Sequence, residues 1–233
     1  MQTPDENKKT RKNQPVLEKR YTSQEDIMEI GVDEAGRGPM LGRVYSAAVV
    51  LPNNDVNFKY ELMKDSKKFT SKKKITEVAD YIKENSLFWC VGYETETSID
   101  KMNIRNATHS AMHKAIRGII HNNPKLSYFL LVDGNDFKPY IEFDEVAGFK
   151  PFTHKCITGG DNKYANIAAA SILAKVSRDS YIEELCEAEP LLIERYDLLK
   201  NKGYGTKNHI DGIKEYGISQ YHRKTFGICR QYS

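Results

Sequence analysis

The 233-residue sequence lacks the features that would place it in several common classes. No stretch approaches the roughly 18 consecutive apolar residues of a membrane-spanning helix, and residues 1–15 contain no apolar core of a secretory signal. The four cysteines form no CxxC pair, and scattered thiols are typical of reduced residues in an intracellular protein. We therefore expect a cytoplasmic protein, or a nuclear one if its source is eukaryotic or viral.

The charge balance gives no sign of a nucleic-acid binder. The net charge is +3, and residues 1–24, with six Lys or Arg against three Asp or Glu, account for all of it. These residues are polar and aperiodic, so they predict a flexible charged tail, which could also act as a basic arm that strengthens non-specific binding to DNA. Any further basic surface must be local.

The remaining chain alternates strand and helix patterns. Apolar runs predict strands over 27–33, 43–51, 88–96 and 127–133, whereas helical spacing of apolar residues marks 72–85, 111–119 and 166–187. Two strands come first and helices alternate with strands afterwards, which indicates an α/β fold with a mixed sheet. We expect one catalytic domain over 25–190 and a small helical C-terminal region over 191–233.

Acidic residues stand where two of these strands end. Asp33 and Glu34 follow the first apolar run, Asp133 ends SYFLLVD, and Asp161 precedes the alanine-rich helix. If the strands are neighbours, their ends bring Asp33 and Asp133 together, and Asp161 could turn toward the same point. Consecutive strand residues point to opposite faces, so Glu34 joins them only if the strand bends or ends there.

Converging carboxylates need a cation. Such a group cannot stay ionised unless cations share the space, and all-oxygen ligands select Mg²⁺ or Mn²⁺. Two such ions suit phosphodiester hydrolysis. Alone, however, Asp133 before Gly-Asn is equally typical of a turn, and Asp161 is more typical of a helix cap.

Two common phosphate-binding motifs are not matched in this sequence. The segment GRGPMLG misses the dinucleotide-binding spacing by one residue, and no phosphate-binding P-loop occurs. An actin-like ATPase, which also places acids near glycines at strand ends, stays open as an alternative. His109 and His113 lie four apart on a predicted helix and could hold a metal, although a solvated helix face is the favoured interpretation.

A family resemblance extends over about residues 27–228. The segment GVDEAGRGPMLGRVYSAAVVL resembles the opening signature of type 2 ribonuclease H, the ribonuclease HII family. Further segments resemble that family in order: DSKKFTSKKK, IDKMNIRNATHSAMHKAI, LVDGN, GGD, IAAASILAKVSRD, NKGYGTKNH and YHRKTFG. The resemblance implies a ribonuclease H-like fold and a monomeric endoribonuclease. Such an enzyme cleaves the RNA of RNA/DNA hybrids and nicks duplex DNA 5′ to an embedded ribonucleotide, leaving 3′-hydroxyl and 5′-phosphate ends.

The resemblance also assigns roles to residues. It implies that two Mg²⁺ or Mn²⁺ ions are held by Asp33, Glu34, Asp133 and Asp161. The Gly36-Arg37-Gly38 motif would grip the nucleotides at the RNA–DNA junction, where glycines let the backbone approach a 2′-hydroxyl, and Tyr204 would pack on the following sugar. Basic residues that would contact the nucleic-acid backbone are Lys67, Lys68, Lys175 and Arg178, with His222 and Arg223 as further candidates.

Some assignments stay open at this point. The stretch between Asp133 and Asp161 is longer than expected for bacterial members of the family, and its Asp144 and Glu145 compete with Asp161 as the fourth ligand. Lys67 and Lys68 could simply be part of a solvated helix start, and Arg178 could pair with Asp179. A non-catalytic subunit that binds hybrids is a further alternative function.

Overall fold

The structure, a computed structural model, describes residues 16–53, 55–145 and 148–233. In these residues the chain forms seven strands: β1 (Ile27–Ala35), β2 (Val44–Val50), β3 (Phe88–Glu94), β4 (Ser127–Asp133), β5 (Ile141–Asp144), β6 (Gly148–Pro151) and β7 (His154–Ile157). It also forms six α-helices: α1 (Lys72–Asn85), α2 (Glu96–Asn122), α3 (Ala165–Ala188), α4 (Leu191–Tyr196), α5 (Leu198–Asn201) and α6 (Lys207–Tyr216). None of the described helices has both the length and the apolar character needed to cross a bilayer.

Five strands form a mixed sheet in the order β3-β2-β1-β4-β7. Strand β1 is antiparallel to β2 and parallel to β4, so the carboxyl ends of β1 and β4 lie at the same edge. Neighbouring side chains of β2 face opposite sides of the sheet. Ala47 and Val49 pack with α1 and α3, whereas Ala48 and Val50 pack with α2. The predicted mixed sheet flanked by helices is confirmed.

Helix α3 lies unusually close to β1. A Cβ added to Gly31 would stand 2.2 Å from the carbonyl carbon of Asn166, at the start of α3. Only a residue without a side chain permits this approach. Because α3 packs directly on the central strand, its first turns lie beside the edge where β1 ends.

The stretch between β4 and β7 forms the β5–β6 hairpin and a loop that packs on α2. His109 and His113 place their Nε2 atoms 3.2 Å and 2.8 Å from the carbonyl oxygens of Asp136 and Lys138. His109 is also buried. Both interpretations of this histidine pair, a metal clamp and a solvated helix face, are therefore wrong, because the two rings tie this loop to the helix.

The described part of the predicted N-terminal tail, from residue 16 onward, packs against the rest of the protein. Residues 1–15 lie outside the described residues. Beyond them, the backbone of Glu18 bonds to that of Lys163 and Ala165, and Tyr21 stacks on Phe129 with ring centroids 5.5 Å apart. The segment is docked because it satisfies backbone groups at the start of α3, which composition alone does not reveal.

The helices after residue 190 form a layer on the C-terminal half of α3. Their apolar side chains share a cluster with Met40 and Leu41, from the loop between β1 and β2. This packing places the C-terminal region against the segment that follows Asp33 and Glu34. The domain division at residue 190 stays a prediction.

Candidate active site

The four predicted acids line one open cavity of about 460 Å³ at the carboxyl edge of the sheet. Asp33 and Asp161 are buried, whereas Glu34 and Asp133 are partly exposed. The parallel pairing of β1 with β4 ends at Val32 and Val132, so the next residue of each strand is one of these acids. The structure therefore brings together the four residues proposed as ligands.

Asp33 and Glu34 reach the same cavity because β1 ends there. The Asp33 carboxylate folds back and accepts a hydrogen bond from the Glu34 N–H at 2.7 Å. Strand β1 stops at Ala35, and Gly36 adopts a φ of 95° that favours glycine. Asp33 and Glu34 are still paired with Ala47 and Ser46 of β2, but the cavity lies at the end of the strand, where both side chains line it.

Asp133 fixes the loop that carries Asp161. Its Oδ1 accepts a hydrogen bond from the Gly160 N–H at 2.6 Å, and Asp161 lies in the 3₁₀ turn Gly160–Asn162. Helix α3 starts later, with Tyr164 as its N-cap, so Asp161 is not the helix cap that its position suggested. Of its competitors, Glu145 is exposed and does not line the cavity.

Two polar residues near the acids were missed in the sequence. Asn162 donates to Asp161 Oδ1 at 3.0 Å and to Asp65 Oδ2 at 3.3 Å, and Lys68 donates to the Asn162 side-chain oxygen. Asp65 is the first residue of the DSKK segment, and the resemblance of that segment to the family was the signal that could have pointed to it. This network holds the Asp161 side chain, whereas Asp133 holds the backbone of the preceding Gly160.

The site carries excess negative charge. Burial, together with the charges of Glu34 and Asp133, holds the pKa of Asp33 well above its usual range. Burial and the Asp133 charge also raise the pKa of Glu34, and burial and neighbouring carboxylates raise the pKa of Asp161. Burial is the largest cause of each shift, and the charges of the neighbouring carboxylates add to it.

This donor set fits hard divalent cations. Carboxylate oxygens are the ligands preferred by Mg²⁺ and Mn²⁺, and a cation would relieve the repulsion that raises these pKa values. Within the described part of the chain, no three His, Cys, Asp or Glu side chains already form a metal-binding cluster. These residues therefore suit a divalent cation by the chemistry of their carboxylate oxygens, although their side chains do not already form a coordination sphere.

The Gly36-Arg37-Gly38 segment and Tyr204 meet at the cavity. A Cβ on Gly38 would lie 3.4 Å from Cε1 of Tyr204, whose side chain is about half exposed. Arg37 is exposed and forms an ion pair with Glu34 at 3.5 Å. A narrow space between a glycine backbone and an aromatic ring thus lies beside the carboxylates.

Three of the four basic residues predicted to contact the nucleic-acid backbone line the cavity. Lys67 and Lys175 line the cavity, and Lys175 pairs with Asp179 at 2.8 Å. Lys68 does not line it. Arg178 lines it but is 3% exposed, and its Nη2 donates to the Lys202 carbonyl at 2.7 Å, while its Nε has no partner among the described residues.

His222 and Arg223 do not contact solvent. Both are buried, at 1% and 0% exposure, so their proposed contact with DNA is wrong. The YHRKTFG motif suggests a basic surface because its polar residues are adjacent in the sequence. Their partners are backbone carbonyls and another histidine, which leave no trace in the sequence.

Comparisons with known proteins agree on one family. The family model for ribonuclease HII matches residues 30–229. The ribonuclease HII of Phocaeicola vulgatus is 43% identical over 203 residues, which cover 87% of this chain and 90% of that protein.

Solved structures share the fold. Ribonuclease H2 from Pyrococcus horikoshii OT3 has a TM-score of 0.68 at 22% identity and covers 88% of this chain and 97% of that one. Ribonuclease HII from Archaeoglobus fulgidus, solved in complex with PCNA, has a TM-score of 0.63 at 25% identity, with 86% and 96% covered.

Proposed function

The chain belongs to the ribonuclease HII family, and from that premise we propose that the cavity at the carboxyl edge of the sheet is its active site. The protein is an endoribonuclease that acts on RNA/DNA hybrids. It is therefore neither an actin-like ATPase nor a non-catalytic subunit. We assign cleavage of the strand to one group of residues in this cavity and selection of the cut position to another.

The observation that supports the proposal is the meeting of two unlike groups of residues in one cavity. Four carboxylates line one part of it, and Gly36, Gly38 and Tyr204 line another. The carboxylates suit phosphodiester hydrolysis, whereas the glycine segment gives close access to a sugar. Together they match an enzyme that cuts a nucleic acid at a ribonucleotide.

Asp33, Glu34, Asp133 and Asp161 would hold two divalent ions, Mg²⁺ or Mn²⁺. When bound, such a pair supplies an activated water and stabilises the leaving oxygen of a phosphodiester. The protein's own contribution is to hold the donors in place. The Gly160 N–H orients Asp133, and Asn162 orients Asp161.

The exposed cations around the carboxylates would position the strand. Arg37 carries a forked donor that suits phosphate oxygens, and its 3.5 Å contact with Glu34 is long enough to be exchanged for one. Lys67 and Lys175 lie along the same cavity. Arg178, being buried, acts through the loop of Lys202 and not as a free surface charge.

The backbone around Gly38 and the ring of Tyr204 would recognise the ribonucleotide. The 2′-hydroxyl is the group that distinguishes RNA from DNA at one position, and a backbone without a side chain can approach it. The half-exposed Tyr204 ring would pack on the sugar that follows. We therefore expect cleavage 5′ to a single ribonucleotide in duplex DNA, leaving 3′-hydroxyl and 5′-phosphate ends.

The test is a labelled DNA duplex with one central ribonucleotide, incubated with Mg²⁺, Mn²⁺ or EDTA. We expect a single nick 5′ to the ribonucleotide with either metal and none with EDTA, and no nick in the all-DNA duplex of the same sequence. Cleavage with EDTA would contradict the role of the carboxylates. Equal nicking of the all-DNA duplex would contradict recognition of the sugar.

A further inference from the structure

Arg223 is wholly buried beneath the loop that joins β1 to β2. All five N–H groups of its guanidinium donate to carbonyl oxygens of residues 36–43. The distances are 2.6 Å to Gly36, 3.0 Å to Arg37, 2.8 Å to Pro39, 2.8 Å to Gly42 and 3.2 Å to Arg43. One side chain therefore fixes the whole Gly-Arg-Gly loop through its backbone.

The guanidinium keeps its charge in this position. Burial lowers the pKa of Arg223 to about 9, which still leaves it protonated at neutral pH. Five carbonyl dipoles compensate the buried charge. A lysine has only three donors in another geometry and cannot reproduce these contacts.

The adjacent residue, His222, acts on the second recognition element. Its Nδ1 accepts a hydrogen bond from the Ser219 N–H at 2.9 Å, so its Nε2 carries the proton. That proton is donated to His209 Nε2 at 3.0 Å, and His209 Nδ1–H donates to the Tyr204 carbonyl at 2.9 Å. The chain of hydrogen bonds runs in one direction, from Ser219 to the backbone of Tyr204.

Both histidines are neutral in this arrangement. Burial lowers the pKa of His222 to about 3 and also lowers the pKa of His209. Protonation of His209 would oppose two N–H groups between the rings, and protonation of His222 would place its Nδ1–H against the Ser219 N–H. Each tautomer is therefore fixed by its neighbours.

We propose that His222 and Arg223 are positioning residues that set the spacing between the Gly-Arg-Gly loop and Tyr204, and thereby determine recognition of the ribonucleotide. This inference rests on the proposed function, which assigns sugar recognition to those two elements. Two consecutive residues hold both sides of a space in which a Gly38 Cβ would lie 3.4 Å from the tyrosine ring. A displacement of about 1 Å at such a site can cost about 100-fold in rate.

The His222 test uses two variants and two substrates. His222→Gln keeps a donor near the Nε2 position, whereas His222→Leu removes it. Single-turnover rates are measured on the duplex with one ribonucleotide and on a hybrid with an all-RNA strand, where the junction contact of Tyr204 matters less. We expect His222→Leu to lower the first rate about 10-fold more than the second, and His222→Gln to restore the wild-type ratio.

The Arg223 test separates binding from turnover. We expect Arg223→Lys to lower kcat about 100-fold on both substrates, with KM changed less than about 3-fold. The matched control is Ile213→Ala, which truncates a buried side chain of the same C-terminal cluster but takes no part in the side-chain hydrogen bonds of His209, His222 or Arg223. We expect Ile213→Ala to lower the rates on both substrates by the same factor, which is set by the fraction of the protein that is unfolded.

The outcomes distinguish the two proposals. If wild type shows no preference for ribonucleotides, the proposed function fails first. If wild type has that preference but the His222 and Arg223 variants behave like Ile213→Ala, these residues only stabilise the fold and the inference is overturned.

Discussion

Gly38→Ala probes the space between the backbone and Tyr204 with the smallest possible change. The added Cβ would stand 3.4 Å from Tyr204 Cε1, which is an ordinary van der Waals contact. Gly38 also lacks the positive φ of Gly36. The free energy of unfolding should therefore change by less than about 1 kcal/mol, which is a shift in Tm within about 4 °C.

Cleavage should respond far more than stability. The methyl group would stand where the 2′-hydroxyl is expected and prevent close approach of the backbone. A backbone group left without its 2′-hydroxyl partner costs about 1–3 kcal/mol, which corresponds to about a 5- to 150-fold lower rate. The assay is single-turnover nicking of the duplex with one ribonucleotide, next to a thermal melt of each protein.

Gly205→Ala is the matched control. Its Cβ would also meet a neighbour at 3.4 Å, but that neighbour is the flexible end of Met40. We expect near wild-type nicking from this variant. Wild-type nicking by Gly38→Ala, or equal losses in both variants, would refute the role given to the space beside Tyr204.

Three further predictions follow from the charges and contacts of the site. Asp33→Asn should raise Tm while abolishing cleavage, because the buried carboxylate is repelled by Glu34 and Asp133; a lower Tm in a melt would contradict this. His222 has a folded pKa of about 3 against 6.5 in the unfolded chain, so the unfolded chain binds the extra proton and stability falls as the pH falls below about 6.5. Between pH 7 and pH 5 this residue should cost about 2 kcal/mol in urea unfolding, a loss that His222→Gln lacks. Tyr204→Ala should reduce nicking at a single ribonucleotide much more than it weakens duplex binding in a fluorescence-anisotropy titration, whereas equal losses would make Tyr204 a packing residue.

The sequence was informative wherever a pattern was local. The apolar runs that end in Asp33 and Asp133 predicted both strands, and the two acids meet at one edge because these strands are parallel neighbours, which the sequence offered only as a condition. The presence of Glu34 in the same cavity was not predictable, because it depends on where β1 ends relative to the site.

Contacts between distant segments were harder to predict. The sequence suggests that Arg223 is a candidate DNA contact, because its carbonyl acceptors can belong to any residue type and form no sequence pattern. Composition predicts a flexible tail over residues 1–24, although Glu18 forms backbone hydrogen bonds at the start of α3. Asn162 is adjacent to Asp161, but its second partner, Asp65, lies 97 residues away, so the network that they form is not visible in the sequence.

The most direct test of the central claim is single-turnover cleavage by Asp133→Asn in Mg²⁺, measured beside binding of the same labelled duplex with one ribonucleotide. Asp133 lies at the end of β4, accepts the Gly160 N–H and faces the other three acids. The account predicts binding close to that of wild type and a cleavage rate lower by a factor of about 100 or more. Cleavage at the wild-type rate would contradict the assignment of this carboxylate site as the catalytic centre.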